Sequence, residues 1–175
     1  MSFILNTNIT NLCLRRFSLS DAEEYARLAN NYNIWRFLRD EFPYPYTKQE
    51  AAKYIKEQIA QNPNTYLAIE FEKTLMGDIH IHPQADILRF SGFLGFWLGE
   101  EYWGKGFMTE VLKTMVNHIF SNTNLMRIVA RVFANNPGSI KVLQKAGFQQ
   151  EGLFPKAVYK EGIFIDQHQF SIVKP

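Results

Sequence analysis

Apolar residues recur along the chain at the two spacings that distinguish strands from helices. Alternation of apolar and polar positions predicts seven strands, at residues 9–17, 65–72, 76–82, 92–98, 126–133, 148–154 and 163–173. Spacings of three and four predict about four helices, at 20–30, 47–61, 107–122 and 137–147. This order predicts a mixed α/β domain spanning residues 1–175, with a mostly antiparallel sheet of six to seven strands and a central β-α-β unit.

Capping residues mark where the first two predicted helices begin. Ser20 is followed three residues later by Glu23, which is the spacing of a capping box. Thr47 and Glu50 repeat that pattern at the second helix. The Asn-Pro-Asn sequence at 62–64 is expected to end the second helix.

Turn residues separate the remaining elements. Pro43 and Pro45 exclude regular helix from the aromatic passage between the first two helices. A short turn at 72–73 predicts a hairpin, and residues 160–162 predict the turn of a final antiparallel pair. Gly147 is placed to end the last helix in a left-handed conformation.

The stretch 101–110 joins a strand directly to the central helix and reads Glu-Tyr-Trp-Gly-Lys-Gly-Phe-Met-Thr-Glu. The helix that follows carries an apolar stripe of Phe107, Val111, Met115 and Ile119. The first N–H groups of a helix lack partners and lie at the positive end of its dipole, so they can bind phosphate. Gly104 and Gly106 would let a pyrophosphate approach the backbone. A tight strand-to-helix turn without ligand is the alternative interpretation.

Composition limits the classes of function. A chain of 175 residues that is 46% hydrophobic can bury one core, and a net charge of +2 does not favour nucleic acid or a membrane surface as a partner. No apolar run reaches the length of a membrane span, and no signal-peptide pattern is present, so a soluble cytoplasmic protein is expected. The single Cys13 is expected to be a strand residue without chemistry, and no metal site is predicted.

Several motifs in order and spacing indicate a family. The chain resembles the GCN5-related N-acetyltransferases (GNAT), and most closely the branch of ribosomal-protein N-terminal acetyltransferases. The resemblance spans nearly the whole chain and rests on residues 102–106 with Thr109-Glu110, 136–139, 145–148, 151–152, the 42–47 stretch and the 159–162 turn.

The resemblance implies acetyl-CoA as donor and a primary amine as acceptor, in direct transfer within a ternary complex. Backbone amides would hold the CoA pyrophosphate along Trp103, Gly104, Lys105, Gly106, Phe107, Met108 and Thr109. Trp97 and Leu98 would offer main-chain groups to the pantetheine arm, which enters a gap between two strands. Asn136 would bind the pantetheine or thioester region, and Lys141, like Lys105 and Lys145, is a candidate for the phosphates.

One departure from the family concerns the acid that assists the leaving thiolate. Many relatives use a tyrosine at the position that corresponds to Leu143. Ser139 is the candidate donor instead, and it is also counted among the CoA-binding residues. The alternative is that its hydroxyl only caps the helix or binds CoA.

The general base is a second departure. Phe93 and Val158 occupy positions at which relatives carry glutamate. His80 and His82 share one face of a predicted strand, and His80 is the candidate base because histidine titrates near neutral pH. Histidines that simply face solvent are the alternative. Asp40 and Glu41 are candidates for recognising a cationic acceptor, and exposed loop acids are again the alternative.

The leading hypothesis is therefore an acetyl-CoA-dependent N-acetyltransferase acting on a protein N-terminus or a small-molecule amine. A non-catalytic acyl-CoA-binding or regulatory module of the same fold is the alternative, and turnover would separate the two. The absence of a Walker pattern disfavours a nucleotide-binding protein. The sequence leaves the acceptor and the oligomeric state open, with a homodimer compatible with it.

Overall fold

Eight strands form one sheet in the computed structural model, which describes residues 3–60 and 64–175. The sheet order is β1-β2-β3-β4-β5-β6-β8-β7. The strands are β1 (Ile4–Asn6), β2 (Leu12–Arg15), β3 (Tyr66–Phe71), β4 (Thr74–Pro83), β5 (Ser91–Leu98), β6 (Arg127–Phe133), β7 (Gln149–Lys160) and β8 (Ile163–Val173). Every neighbouring pair is antiparallel except β5 and β6, which are parallel. The predicted fold class and its central β-α-β unit are confirmed.

Helices cover both faces of the sheet. The described residues form α1 (Ala22–Ala29), α2 (Tyr32–Trp35), α3 (Lys48–Ala60), α4 (Phe107–Asn122) and α5 (Pro137–Lys145), with single 3₁₀ turns at Leu19–Asp21, Asp86–Leu88 and Glu100–Tyr102. None of these helices combines the length and the apolar character needed to cross a bilayer.

Two apolar cores result, one on each face of the sheet. The predicted stripe of α4 is confirmed, because Val111, Met115 and Ile119 are completely buried against the sheet together with α5. Burial of each such side chain contributes about 1.5–3 kcal/mol. On the opposite face, α1 and α3 bury Tyr25 and Ile55 in a second core. The sheet is therefore held between two helical layers.

The N-terminal strand differs from its prediction at 9–17. Only Leu12–Arg15 is extended, and it pairs with the unpredicted strand β1. Asn11 has a φ of 64°, and the Thr7 hydroxyl donates to the carbonyl of Leu12 at 2.9 Å. These local hydrogen bonds form a tight turn where apolar alternation had suggested strand. Cys13 lies in β2, as expected, and burial together with Glu70 raises the pKa of its thiol.

The predicted cap of the first helix at Ser20 is wrong. The capping box is formed by Ser18 and Asp21, around the 3₁₀ turn that precedes α1. Glu23 instead forms an ion pair with Lys48 at 2.8 Å. Two serines two residues apart each offered a plausible cap, and Ser18 prevails because its backbone N–H donates to the Asp21 carboxylate at 2.8 Å.

The second capping box is confirmed, with the Thr47 N–H donating to Glu50 at 2.8 Å and the Glu50 N–H donating to the Thr47 hydroxyl at 3.3 Å. Gln61, the expected end of α3, lies outside the described residues. So do the first two residues of the helix-ending Asn-Pro-Asn sequence at 62–64. The short helix α2 is an addition within the aromatic passage, upstream of the two prolines.

The remaining elements lie within two residues of their predicted positions, except that β7 extends six residues beyond its predicted end at 154, because it pairs with β8 along nearly its whole length. Both hairpin turns contain left-handed residues, with φ values of 50° and 65° at Glu72 and Lys73 and of 51° and 82° at Glu161 and Gly162. Gly147, with a φ of 95°, follows α5 as predicted. Glycine favours positive φ at 147 and 162, whereas Glu72, Lys73 and Glu161 adopt it because a tight hairpin turn requires it. For the hairpins, the alternation of the flanking strands was therefore the stronger sequence signal.

Candidate active site

The turn between β5 and α4 leaves its backbone open. Gly104 and Gly106 have φ values of 75° and 82°, and a Cβ added at either position would meet no atom within 4 Å. Gly106 precedes the first helical residue, and no side chain caps the helix. The first N–H groups of α4 thus have no side-chain cap and lie next to open space, which is the arrangement that a phosphate site requires. Trp103 and Lys105 flank it with exposed side chains.

Side chains from distant segments hold this turn in place. Glu100, at the end of β5, accepts hydrogen bonds from Asn31 at 2.7 Å and Asn33 at 2.9 Å. Glu110, in the first turn of α4, accepts from both the backbone and the side chain of Asn8, at 3.1 and 2.7 Å. Both carboxylates therefore anchor the turn from either end, a role that the sequence did not reveal.

Strands β5 and β6 diverge and leave a gap between them. Their parallel pairing ends at Leu94 and Ala130, while β5 continues to Leu98 with only β4 beside it. Successive peptide groups of a strand point to opposite edges. The carbonyl of Trp97 points at Gly77 of β4, where it would lie 2.2 Å from an added Cβ. By this alternation Leu98, rather than Trp97, presents its main chain to the gap.

The carbonyl of Leu98 already has a partner in this structure. The indole Nε1 of Trp103 donates to it at 2.8 Å. A ligand that used this carbonyl would have to displace the indole, whose ring is 43% exposed and therefore able to move. Trp97 contributes its side chain instead, which is buried in the core beneath α1.

Because β5 and β6 are parallel, the helices that follow them, α4 and α5, begin at the same end of the sheet. Asn136 caps α5, with its Oδ1 accepting the N–H of Ser139 at 3.1 Å. Ser139 is half-buried, and in the described part of the chain no residue hydrogen-bonds its hydroxyl. Its hydroxyl is thus not the cap. Lys141 is exposed, and Leu143 is completely buried in the core.

His80 lies where β5 leaves β6. Its imidazole packs over Gly95, the first residue beyond the last β5–β6 pair, with Nε2 only 2.3 Å from where a Cβ of Gly95 would stand. The ring stacks on Tyr66, with centroids 5.1 Å apart and planes inclined by 6°. One third of the side chain is exposed. Of the two strand histidines, only His82 matches the solvent-facing alternative.

Asp78 is a buried acid behind His80 that the sequence did not single out. It is 2% exposed, and its Oδ2 accepts hydrogen bonds from Tyr25 at 2.7 Å and Tyr54 at 3.1 Å. The Tyr25 oxygen in turn accepts from the indole of Trp97 at 3.3 Å. Burial, followed by the charge of Asp78, raises the pKa of both tyrosines. A charged residue two positions before His80 in an otherwise apolar strand was the available signal.

A shallow groove of about 180 Å³ opens on the same face of the sheet beyond His80. Phe93 forms its floor, and the Arg131 guanidinium lies 5.2 Å from the centre of the phenyl ring. The Nε of Arg131 donates to Gln169 at 3.1 Å. The position at which relatives carry glutamate is thus an apolar surface beneath an arginine, which suits an acceptor with apolar character.

The acidic loop residues have structural partners. Asp40 forms an ion pair with Lys160 at 2.7 Å, and the Lys160 ammonium lies 3.6 Å from the centre of the Trp35 ring. Lys160 is 3% exposed, so this contact ties the aromatic loop to the β7–β8 turn. Glu41 is exposed and pairs with Arg39 at 2.6 Å.

A comparison with protein families decides the classification. Residues 11–149 match the acetyltransferase (GNAT) domain. The chain belongs to this family. The match includes β2 to β6, both helices that flank the gap, and the two glycines of the turn between β5 and α4.

Curated relatives share sequence with part of this GNAT chain. It is 39% identical over 103 residues to the uncharacterized N-acetyltransferase YoaA of Bacillus subtilis, covering 59% of this chain and 58% of the relative. The chain spans about half the length of this relative and of two further curated N-acetyltransferases of Bacillus, from 46% to 58%.

Solved structures share the fold over nearly the whole chain. The ribosomal L7/L12 α-N-protein acetyltransferase RimL, in complex with coenzyme A, has a TM-score of 0.85 and 21% identity over 98% of both chains. The microcin C7 self-immunity acetyltransferase MccE, in complex with acetyl-CoA and AMP, has a TM-score of 0.82 and 22% identity over 95% of this chain and 94% of its own. At this identity the likeness establishes the fold.

Proposed function

We propose that the chain is an N-acetyltransferase that moves the acetyl group of acetyl-CoA to a primary amine by direct transfer in a ternary complex. The observation that carries the proposal is the juxtaposition at the β5–β6 gap. The uncapped N-terminus of α4 lies at the end of the sheet where the gap opens, and the half-buried His80 lies where β5 and β6 separate. Membership of the GNAT family supports the donor.

The cofactor turn fits the phosphates of acetyl-CoA. The N–H groups of Phe107, Met108 and Thr109 lack helical acceptors, and the glycines leave room for a pyrophosphate beside them. Lys105 and Lys141 are exposed and free to approach phosphate oxygens. Bound acetyl-CoA supplies an activated thioester carbonyl to the gap.

The edge of β5 suits the pantetheine arm and the developing oxyanion. Leu98 presents its main chain to the gap, as a sheet edge does to an added strand. Main-chain N–H groups on that edge would donate to negative charge on the carbonyl oxygen in the transition state. Holding both reactants in line supplies a further part of the rate acceleration.

Two side chains are proposed to handle protons. His80 accepts the proton that the amine loses, a step that matters because a lysine amine has a pKa of roughly 10.4 and a protein N-terminus one of roughly 8. Ser139 donates a hydrogen bond to the leaving thiolate, for which its free hydroxyl is available. Asn136 is the helix cap and, with its remaining amide N–H groups, a candidate ligand of the pantetheine.

The acceptor is a protein N-terminus, as in the ribosomal-protein branch that the chain resembles, or a small-molecule amine. Phe93 and the aromatic loop favour an acceptor with an apolar surface next to its amine. We place the reaction in the cytoplasm, without nucleic acid or membrane as partner and with a homodimer as the state to test by light scattering.

The experiment is thiol release from acetyl-CoA across a panel of N-terminal peptides, polyamines and aminoglycosides, with the amine-free rate subtracted. Acetyl-CoA binding is measured separately by calorimetry. Release that depends on one class of amine supports the proposal and identifies the acceptor. Binding of acetyl-CoA without release across the panel contradicts it and favours a non-catalytic acyl-CoA-binding module.

A further inference from the structure

We propose that Asp78 is a positioning residue that holds the His80 imidazole with Nδ1 protonated, so that Nε2 is the free proton acceptor at the β5–β6 gap. The role of His80 as base rests on the proposed function. The arrangement of the two side chains is an independent claim about the molecule, and it can be tested without any turnover.

The first observation is a pair of complementary atoms without other partners. Asp78 Oδ1 and His80 Nδ1 lie 3.6 Å apart and are both buried. Within residues 3–60 and 64–175 neither atom has a hydrogen-bond partner. At 3.6 Å the two atoms are just beyond hydrogen-bond distance, and a small rotation of the imidazole would join them and remove the cost of about 1–3 kcal/mol for each unpaired buried group. Because a carboxylate only accepts, the hydrogen of that bond is carried by Nδ1.

The second observation is that the carboxylate is fixed from behind. Tyr25 and Tyr54 both donate to Oδ2, and the indole of Trp97 donates to Tyr25. Rotation of the carboxylate would break the two bonds to Oδ2. Oδ1 is therefore directed at His80, and a buried carboxylate without a further partner would be costly.

The third observation concerns the imidazole itself. Tyr66 stacks on one face of the ring, and the Nε2 edge lies over the backbone of Gly95. Among the titratable groups around the ring, Tyr66 comes from β3 and bonds His82 Nδ1 at 2.6 Å, while Tyr25 and Tyr54 of α1 and α3 are engaged with Asp78. The residues of β5 nearest the ring are Phe93, Gly95 and Trp97, which do not titrate. Asp78 is thus the carboxylate that faces His80 in the described structure.

As a chemical consequence, Nδ1 and Nε2 of His80 have different roles. As the bond between the amine nitrogen and the acetyl carbon forms and the carbon–sulfur bond breaks, the proton lost by the amine ends on Nε2. The thiolate leaves and takes a proton from solvent. Asp78 stabilises the imidazolium through Nδ1–H, in the way that a buried aspartate orients a catalytic histidine. The exposed third of His80 then returns the proton to water.

The direct test is ¹⁵N NMR of the histidine side chains in the wild-type protein at a pH where His80 is neutral. The chain has four histidines, and the signals that vanish in His80→Gln assign the ring. We expect the Nδ1–H tautomer, and Asp78→Asn should change that tautomer while the signals of His118 and His168 stay in place. An Nε2–H tautomer in the wild-type protein overturns the proposal, and this result needs no variant to fold.

A kinetic test uses a double-mutant cycle with the best acceptor from the amine panel. Asp78→Asn should lower kcat about 10- to 100-fold and leave the KM for acetyl-CoA unchanged. In the His80→Gln background, Asp78→Asn should cause no further loss, because the two residues act as one unit. Losses that multiply independently contradict the proposal. Full turnover by His80→Gln also overturns the proposal but leaves the acetyltransferase function intact. A wild-type protein without turnover refutes the function, and the tautomer test then still decides the arrangement of Asp78 and His80.

Discussion

The imidazole of His80 occupies the space in which a side chain at position 95 would stand. Its Nε2 and Cε1 lie 2.3 and 2.5 Å from the ideal Cβ position of Gly95. Gly95 is cross-strand partner to His80 and the first β5 residue beyond the pairing with β6. The glycine thus allows a residue of β4 to reach across β5 to the mouth of the gap. In the proposed mechanism, a base carried by the neighbouring strand compensates for the apolar residues at the family's carboxylate positions.

Gly95→Ala is expected to disable the site without unfolding the protein. The added methyl overlaps the imidazole, and the ring is displaced more easily than the backbone because one third of it is exposed. We expect kcat to fall at least about tenfold, with the affinity for acetyl-CoA unchanged. Steady-state kinetics and calorimetry measure the two quantities.

The matched control for Gly95→Ala is the same substitution in a His80→Ala background. Removing the imidazole vacates the space, so the methyl should have no further effect on kcat there. A tenfold loss that persists without the imidazole would show that Gly95 matters for another reason.

Gly106→Ala should weaken acetyl-CoA binding by about tenfold or more, because its methyl would project into the space proposed for the pyrophosphate. Gly162→Ala is the matched control: it has the same φ of 82°, is equally open and lies in the β7–β8 turn. Both variants should lose about 1–2 kcal/mol of stability to the left-handed conformation. Calorimetry and thermal unfolding separate the two effects. Equal acetyl-CoA affinity in the two variants would refute the assignment of the cofactor turn.

Ser139→Ala should reduce kcat about tenfold and leave the affinity for acetyl-CoA unchanged, if the hydroxyl assists the leaving thiolate. The variant keeps the helix cap, since Asn136 accepts the backbone N–H of residue 139. Asn136→Ala is the contrasting change and should cost about 1 kcal/mol of stability. Parallel losses of kcat and affinity in Ser139→Ala would make Ser139 a binding residue only.

Glu151→Gln should make stability less dependent on pH in acid. The Arg127 guanidinium, followed by the Ser171 hydroxyl, lowers the pKa of Glu151 from its ordinary value of 4.5. A depressed pKa contributes stability that is present above the unfolded value and lost as the pH falls through the folded value. Denaturant unfolding from neutral pH into acid measures this loss. Arg127→Gln should likewise reduce the loss of stability in acid, and the double variant should behave like either single one. An acid-induced loss of stability as large as that of the wild-type protein in both single variants would contradict the linkage.

Local signals in the sequence were sufficient to predict those parts of the structure that a few neighbouring residues determine. The strand before 101–110, the paired glycines and the stripe from Phe107 to Ile119 identified the turn and α4, because each signal is contained in a few neighbouring residues. Ser20 failed as a cap because Ser18 competes with it locally, and the hydrogen bond that the Ser18 N–H donates to Asp21 decides between them.

The sequence by itself determined the family, the order of the elements and the position of the glycine turn before α4, since spacing and turn residues encode these directly. The tertiary structure alone decided which groups meet at the gap. Strand register places His80 opposite Gly95, the alternation of peptide groups turns Leu98 rather than Trp97 toward the gap, and α1 and α3 bring Tyr25 and Tyr54 onto Asp78. The physical reason is that each of these contacts joins segments separated along the chain, so that burial and hydrogen bonding across the sheet select them and no local pattern records them.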